Sequence, residues 1–169
     1  MPATTRKIDI ECSLDEVWEV LESFESISDW ADNVSHSCLL SEQSEGLGTC
    51  RRIQTGNSSV TEHVTRWEHT RFLAYEIRGL PPIFKRVLNT WSLEPSETGV
   101  QLSLTIDILP IRQPATPIAG LACLIFRRIN SQMLKDIKNF VENVKPLRQL
   151  EDQVALLEQK VAELESRNE

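Results

Sequence analysis

Residues 100–146 read VQLSLTIDILPIRQPATPIAGLACLIFRRINSQMLKDIKNFVENVKP, and the change of period inside this stretch decides the fold. Val100, Leu102, Leu104, Ile106 and Ile108 alternate with Gln101, Ser103, Thr105 and Asp107, the period of a strand with one apolar and one polar face. Thr116-Pro117 then supplies a helix cap and a first helical position. Nothing breaks the helix before Lys145-Pro146, which at 1.5 Å per residue gives roughly 40 Å, enough to cross a whole sheet. Ile118, Leu121, Ile125, Ile129, Met133, Ile137, Phe140, Val141 and Val144 mark its apolar side. A half-wet strand followed by a long amphipathic helix predicts that the helix covers the dry face of a sheet.

Towards the N-terminus, Thr5 to Cys12 alternates in the same way, and Ser13-Leu14-Asp15-Glu16 is a capping box with its cap and its acid three residues apart. Leu14, Val17, Trp18 and Leu21 follow at helical spacing, and a second short helix is predicted over Ser26 to Trp30. Five more strand-like segments precede Val100 to Leu109: Val34 to Leu40, Thr49 to Thr55, Val60 to Trp67, Arg71 to Arg78 and Val87 to Leu93. In the fourth of these, Leu73, Tyr75 and Ile77 form the apolar face. Short turns join all six segments, which implies an antiparallel meander, because parallel neighbours need long crossovers. The predicted class is α+β: a curved antiparallel sheet of about seven strands wrapped on a long C-terminal helix, with two short helices after the first strand.

The composition changes at Pro146. Residues 147–169, LRQLEDQVALLEQKVAELESRNE, contain no aromatic residue. Leu147, Val154 and Val161 fall at heptad position a, and Leu150, Leu157 and Leu164 at d, a pattern that favours a parallel two-stranded coiled coil. Lys160 at g and Glu165 at the next e attract one another between parallel chains. Two units follow: a domain over residues 1–146 and a coiled-coil tail over 147–169 that makes a homodimer. The other reading of the tail is a helix folded back on its own domain.

The 25 acidic and 18 basic residues give a formal charge of -7, which disfavours nucleic acid as a partner. Cys12, Cys38, Cys50 and Cys123 show no paired spacing, and MPATTRKIDIEC lacks the apolar run of a secretory signal. The expectation is a soluble cytoplasmic protein with reduced thiols. His36, His63 and His69 form no recognised metal-ligand spacing with each other or with the cysteines, and no Gly-rich phosphate or dinucleotide loop occurs. Neither a metal nor a cofactor is expected.

Several pieces of the chain together resemble a known family. They are IECSLDEVWEVLESFESISDW, GLGTCRR, Glu62, the Trp91-Ser92-Leu93 run followed by Glu94-Pro95, and the closing MLKDIKNFVENV. In this order they resemble the helix-grip fold of the START-like (SRPBCC) superfamily, specifically its polyketide cyclase/dehydrase and lipid-transport family. The resemblance covers about residues 3 to 145, and the tail is not part of it. It implies a cavity between the curved sheet and the long helix in which an apolar small molecule lies, such as a lipid, a quinone or a polyketide.

With that cavity implied, the candidate ligand contacts are Trp91, Tyr75, Asn89, Glu62, Arg51, Arg52, Trp30, Leu80, Phe84, Ile125 and Ile129. Trp91 serves equally well as core packing or as pocket wall, with Asn89 on the same face, and the Tyr75 hydroxyl needs a partner. Glu62 lies on the strand next to Arg51-Arg52, so a cross-strand ion pair is natural. One of the two arginines faces inward, and alternation does not say which. The pair is read first as a solvated surface pair, since charges are seldom buried. If Glu62 faces the cavity instead, it can serve as a general base with an arginine holding an enolate. The turn at Gly56-Asn57-Ser58 and the apolar loop from Gly79 to Lys85 flank the cavity mouth. The loop and the apolar helix start, Ile118 to Phe126, are expected to bury one another in preference to docking on a membrane. Three functional readings follow: a binding protein for a hydrophobic small molecule, a polyketide aromatase/cyclase, or an interaction module acting through its coiled coil with the cavity collapsed.

Overall fold

The computed structural model describes residues 3–111 and 116–166, and the backbone alone for residues 116–123, 148, 152 and 161–166. Seven strands form one antiparallel sheet: β1 (Ala3–Ile10), β2 (His36–Leu39), β3 (Cys50–Thr55), β4 (Ser58–Glu68), β5 (Phe72–Arg78), β6 (Phe84–Ser96) and β7 (Gly99–Pro110). Their spatial order is β1-β7-β6-β5-β4-β3-β2, so the last six make a meander and β1 closes onto β7. A β-bulge between Val64 and Arg66 adds local twist to β4 and helps the sheet curl. The predicted α+β helix-grip architecture is the observed one.

Between β1 and β2, α1 (Leu14–Glu22) starts at the predicted box: Glu16 N–H donates to Ser13 Oγ, and Ser13 N–H donates to Glu16 Oε2 at 2.8 Å. Its Val17, Trp18, Val20 and Leu21 are buried, and a 3₁₀ segment (Phe24–Asp29) follows, burying Phe24 and Ile27. These side chains join Tyr75, Trp91, Leu102 and Leu104 of the concave sheet face in one core.

Strand β6 runs longer at both ends than the alternation alone predicts. Pro95 is tolerated in it because β5 pairing ends at Ser92, so the missing N–H of Pro95 faces no strand on that side.

The long helix α2 (Thr116–Asn139) crosses the sheet, burying Asn130, Met133, Leu134, Asp136 and Ile137. The predicted apolar side holds from Ile129 onward. Ile125, also expected there, is 53% exposed, while Ile118 and Leu121 lie outside the residues whose side chains are described.

The helix does not stop at Lys145-Pro146. A single π-type turn (Phe140–Val144) leads straight into α3 (Lys145–Ser166). In a regular α-helix Pro146 could not donate to the Glu142 carbonyl and its ring would press on it; the wider turn removes that conflict. Along α3, Leu147, Leu150, Val154 and Leu157 are each more than half exposed, so this stripe does not fold back on the domain. The side chains of Val161 and Leu164 lie outside the described residues.

Candidate functional site

Between the concave face and α2 lies a cavity of about 250 Å³. Its walls are mostly apolar: Ile27 and Val34 from the segment after α1, Ile53, Val60 and Ile77 from β3 to β5, Leu80 from the loop before β6, and Phe126, Ile129 and Met133 from α2. Five polar side chains reach the same space, Asn33, Thr55, Glu62, Asn89 and Asn130, and of these Glu62, Asn89 and Asn130 are buried. Register explains two of them. Arg51, Glu62 and Ile77 pair across β3, β4 and β5, and Val64, Tyr75, Asn89 and Ile106 pair across β4 to β7, so all face the helix side.

The ionic pair is the main correction to the sequence expectation. Arg51 and Glu62 are 3% exposed each, not a solvated surface pair, whereas Arg52 is exposed. Arg51 is therefore the inward arginine. Its Nε and Nη2 both lie 2.6 Å from Glu62 Oε2, its Nη1 donates to the Phe24 carbonyl, and its guanidinium sits 3.8 Å above the Phe24 ring. Burial is tolerable because charge, hydrogen bonds and an aromatic face all compensate the guanidinium. Glu62 Oε1 has no hydrogen-bond partner among the described residues, which leaves one carboxylate oxygen at the cavity wall.

Tyr75 and Trp91 are fully buried but do not line the cavity; both belong to the core. The Tyr75 hydroxyl oxygen accepts from Trp91 Nε1 at 3.2 Å and from Asn89 Nδ2 at 3.4 Å. Burial first, and the Glu62 charge second, push its pKa up to about 12, so it stays a neutral phenol. With Nδ2 so engaged, Asn89 Oδ1 is buried without a partner among the described residues, and so is Asn130 Nδ2 on α2. Buried amide groups of this kind are costly unless something answers them.

Of the other candidates, Leu80 and Ile129 line the cavity. Phe84 packs edge-to-face on Phe126, centroids 6.2 Å apart, and stands beside the mouth rather than in the wall. Trp30 packs edge-to-face on Trp91 and faces a separate pocket of about 180 Å³ at α1, where Lys145 holds Glu19 at 2.6 Å. Ile125 points to solvent. Asn130 was missed in the sequence although it stands on the buried stripe, three residues before Met133 and seven before Ile137, as the one amide there.

The sequence model of the family described as polyketide cyclase / dehydrase and lipid transport matches residues 1–142. The chain belongs to that family. No curated protein matches the sequence. Among solved structures, the protein XoxI from Bacillus cereus is similar with a TM-score of 0.71 at 19% identity, covering 86% of this chain and 99% of that one. The ZhuI aromatase/cyclase from Streptomyces sp. R1128 gives 0.68 at 19% identity, covering 83% and 93%. The Aha1 dimer from Colwellia psychrerythraea gives 0.61 at 13% identity, covering 85% and 98%. At these identities the likeness shows a shared fold, which hosts many activities.

Proposed function

We propose that the protein binds a small, mostly apolar molecule with a polar end in the cavity between sheet and helix. One observation carries the reading: a largely apolar hollow lined by Glu62, Asn89 and Asn130, whose Oε1, Oδ1 and Nδ2 atoms have no hydrogen-bond partner among the described residues. Two acceptors and one donor suit a ligand end that carries a hydroxyl or N–H beside a carbonyl. A volume of about 250 Å³ lies just under the usual range of roughly 300–1,000 Å³ for ligand pockets, which favours a small guest.

Native mass spectrometry of protein purified from its own host is expected to show a retained apolar molecule, and uptake of an environment-sensitive apolar dye is expected to fall at least tenfold in Val60→Trp, which fills the cavity, at an unchanged melting temperature. Undiminished uptake by the filled variant would remove the cavity from the reading.

A catalytic reading, the aromatase/cyclase alternative, is favoured by one feature, the free Glu62 oxygen at the wall. That carboxylate can take a proton from a carbon next to a carbonyl, with Arg51 holding it in place. Turnover lost in Glu62→Gln with ligand uptake retained supports it. The interaction-only reading loses its premise, a collapsed cavity.

The tail is proposed to join two copies as a parallel coiled coil. The exposed Leu147, Leu150, Val154 and Leu157 occupy its a and d positions, and the e positions Glu151, Glu158 and Glu165 would face each other in an antiparallel pair. A chain ending at Val144 is expected to sediment as a monomer at concentrations where the full chain sediments as a dimer. An unchanged sedimentation coefficient ratio to mass would rule the zipper out.

A further inference from the structure

The end of the sheet beside the cavity mouth carries a surface that the binding reading does not use. The loop before β6, the end of β7 and the start of α2 converge there. Ile111 N–H donates to the Ile83 carbonyl at 3.1 Å, and Phe84 meets Phe126. Of the expected mutual burial of loop and helix, Leu80, Phe84 and Phe126 pack against one cluster with Val87, Ile106 and Ile108, and the side chains of residues 118–123 lie outside those described. Ile83, Ile111, Leu124 and Ile125 remain 43%, 54%, 61% and 53% exposed.

Charge is segregated to the same place. Lys85 and Arg86 follow directly on Phe84, and Arg127 and Arg128 on Phe126, so two pairs of cations flank the touching rings. All four are exposed, and none has an acidic partner among the described residues; Lys7, Arg52 and Lys135 are likewise exposed and unpaired with an acid, but each stands apart from an apolar tip of this kind, and Arg66, Arg71, Arg78, Lys138 and Lys145 each have an acidic partner. The sequence explains this: residues 77–93 and 108–135 contain no Asp or Glu, in a chain with 25 acidic residues. A cleft of about 190 Å³ next to the tip is walled by Arg78, Lys85 and Arg86, with Glu76 engaged by Arg78 at 2.8 Å.

From this juxtaposition we propose that the tip formed by Ile83, Ile111, Leu124 and Ile125, ringed by Lys85, Arg86, Arg127 and Arg128, docks on an anionic lipid membrane. Exposed aliphatic side chains gain by entering the headgroup–acyl boundary, and cations around them gain from the negative surface. The rest of the molecule, acidic on balance, is repelled from the same surface, which orients the approach and sets the cavity mouth against the lipid. No helix among the described residues is long and apolar enough to cross a membrane, so the contact is peripheral.

The test is cosedimentation of the full chain with phosphatidylcholine vesicles with and without phosphatidylserine. Binding is expected only when phosphatidylserine is present, and to weaken as salt is raised. At roughly fivefold per charge, loss of the four cations alone should weaken it by about several hundred-fold, and reversing them (Lys85→Glu, Arg86→Glu, Arg127→Glu, Arg128→Glu) by at least that much. Leu124→Ser with Ile125→Ser should weaken it while leaving the melting temperature unchanged. Val60→Trp, which tests the cavity, should leave vesicle binding intact, so the two readings fail separately. No sedimentation with anionic vesicles, or sedimentation that survives the charge reversal, overturns the proposal. Retention on poly-glutamate without vesicle binding overturns it too, and assigns the patch to an acidic polypeptide.

Discussion

Replacing Arg51 by Met is expected to destabilise the fold by about 3–5 kcal/mol, among the largest effects of any single substitution in this chain. The substitution keeps the length and much of the apolar bulk of the side chain, so little of the loss is packing. What changes is that the Glu62 carboxylate, 3% exposed, is left in the sheet without its cation, and the Phe24 carbonyl without its donor. A cavity-lining carboxylate is therefore held in place by a residue that does not itself line the cavity. The Arg51→Met, Glu62→Leu double variant should recover most of the loss, because a buried pair replaced by apolar side chains leaves no orphaned charge. Urea midpoints at constant slope measure both. A loss below about 1 kcal/mol in the single variant would mean that the pair behaves as an exposed one.

The same pair shows where sequence reasoning reaches and where it ends. Strand alternation is local, so β7, β5 and the helix stripe from Ile129 to Val141 were readable residue by residue. Alternation says that Arg51 and Arg52 face opposite ways, and Ile53 beside Arg51 against Gln54 beside Arg52 points to Arg51 as the inward one. That the inward charge is buried and paired depends on Phe24, which lies 27 residues away in sequence, and no short-range pattern carries that information. The cavity suffers from a similar gap. Tyr75, Asn89 and Trp91 share one face, yet only Asn89 reaches the hollow, because the curl of the sheet and the path of α2 decide which part of the face is covered by core. Asn130 is different. An amide on an otherwise apolar helix stripe was visible in the sequence as a group that needs a partner, and it is this residue that lines the cavity together with Asn89. The continuation of the helix past Pro146 was legible only in part, since a proline signals a break and the π turn that absorbs it leaves no mark of its own.

Gly99→Ala is expected to cost about 2–6 kcal/mol, through two separable causes. Gly99 opens β7 after the Glu97-Thr98 turn, at a φ of +146° that side chains rarely tolerate. A methyl group there would also stand 2.4 Å from the Ile10 carbonyl oxygen and within 2.9 Å of the Cys12 nitrogen and oxygen. All three are backbone atoms of the segment where β1 ends and the chain turns into α1, so no side-chain rotation relieves the clash. Ile10 pairs with Val100, and the ladder from Ala3 to Ile10 joins β1 to the rest of the sheet. Making room for the methyl means pulling the end of this ladder away from β7, or displacing the Ser13 capping box that follows. Gly56 provides the control. It also has a positive φ, +56°, but a methyl there meets nothing within 4 Å, so Gly56→Ala should cost only the backbone strain, about 1–2 kcal/mol. Thermal denaturation of the two variants separates the causes, since only the first contains the steric part. Equal losses would mean that the chain closes around Gly99 with slack to spare, and that the approach of β1 to the β6–β7 turn contributes nothing to holding the sheet shut.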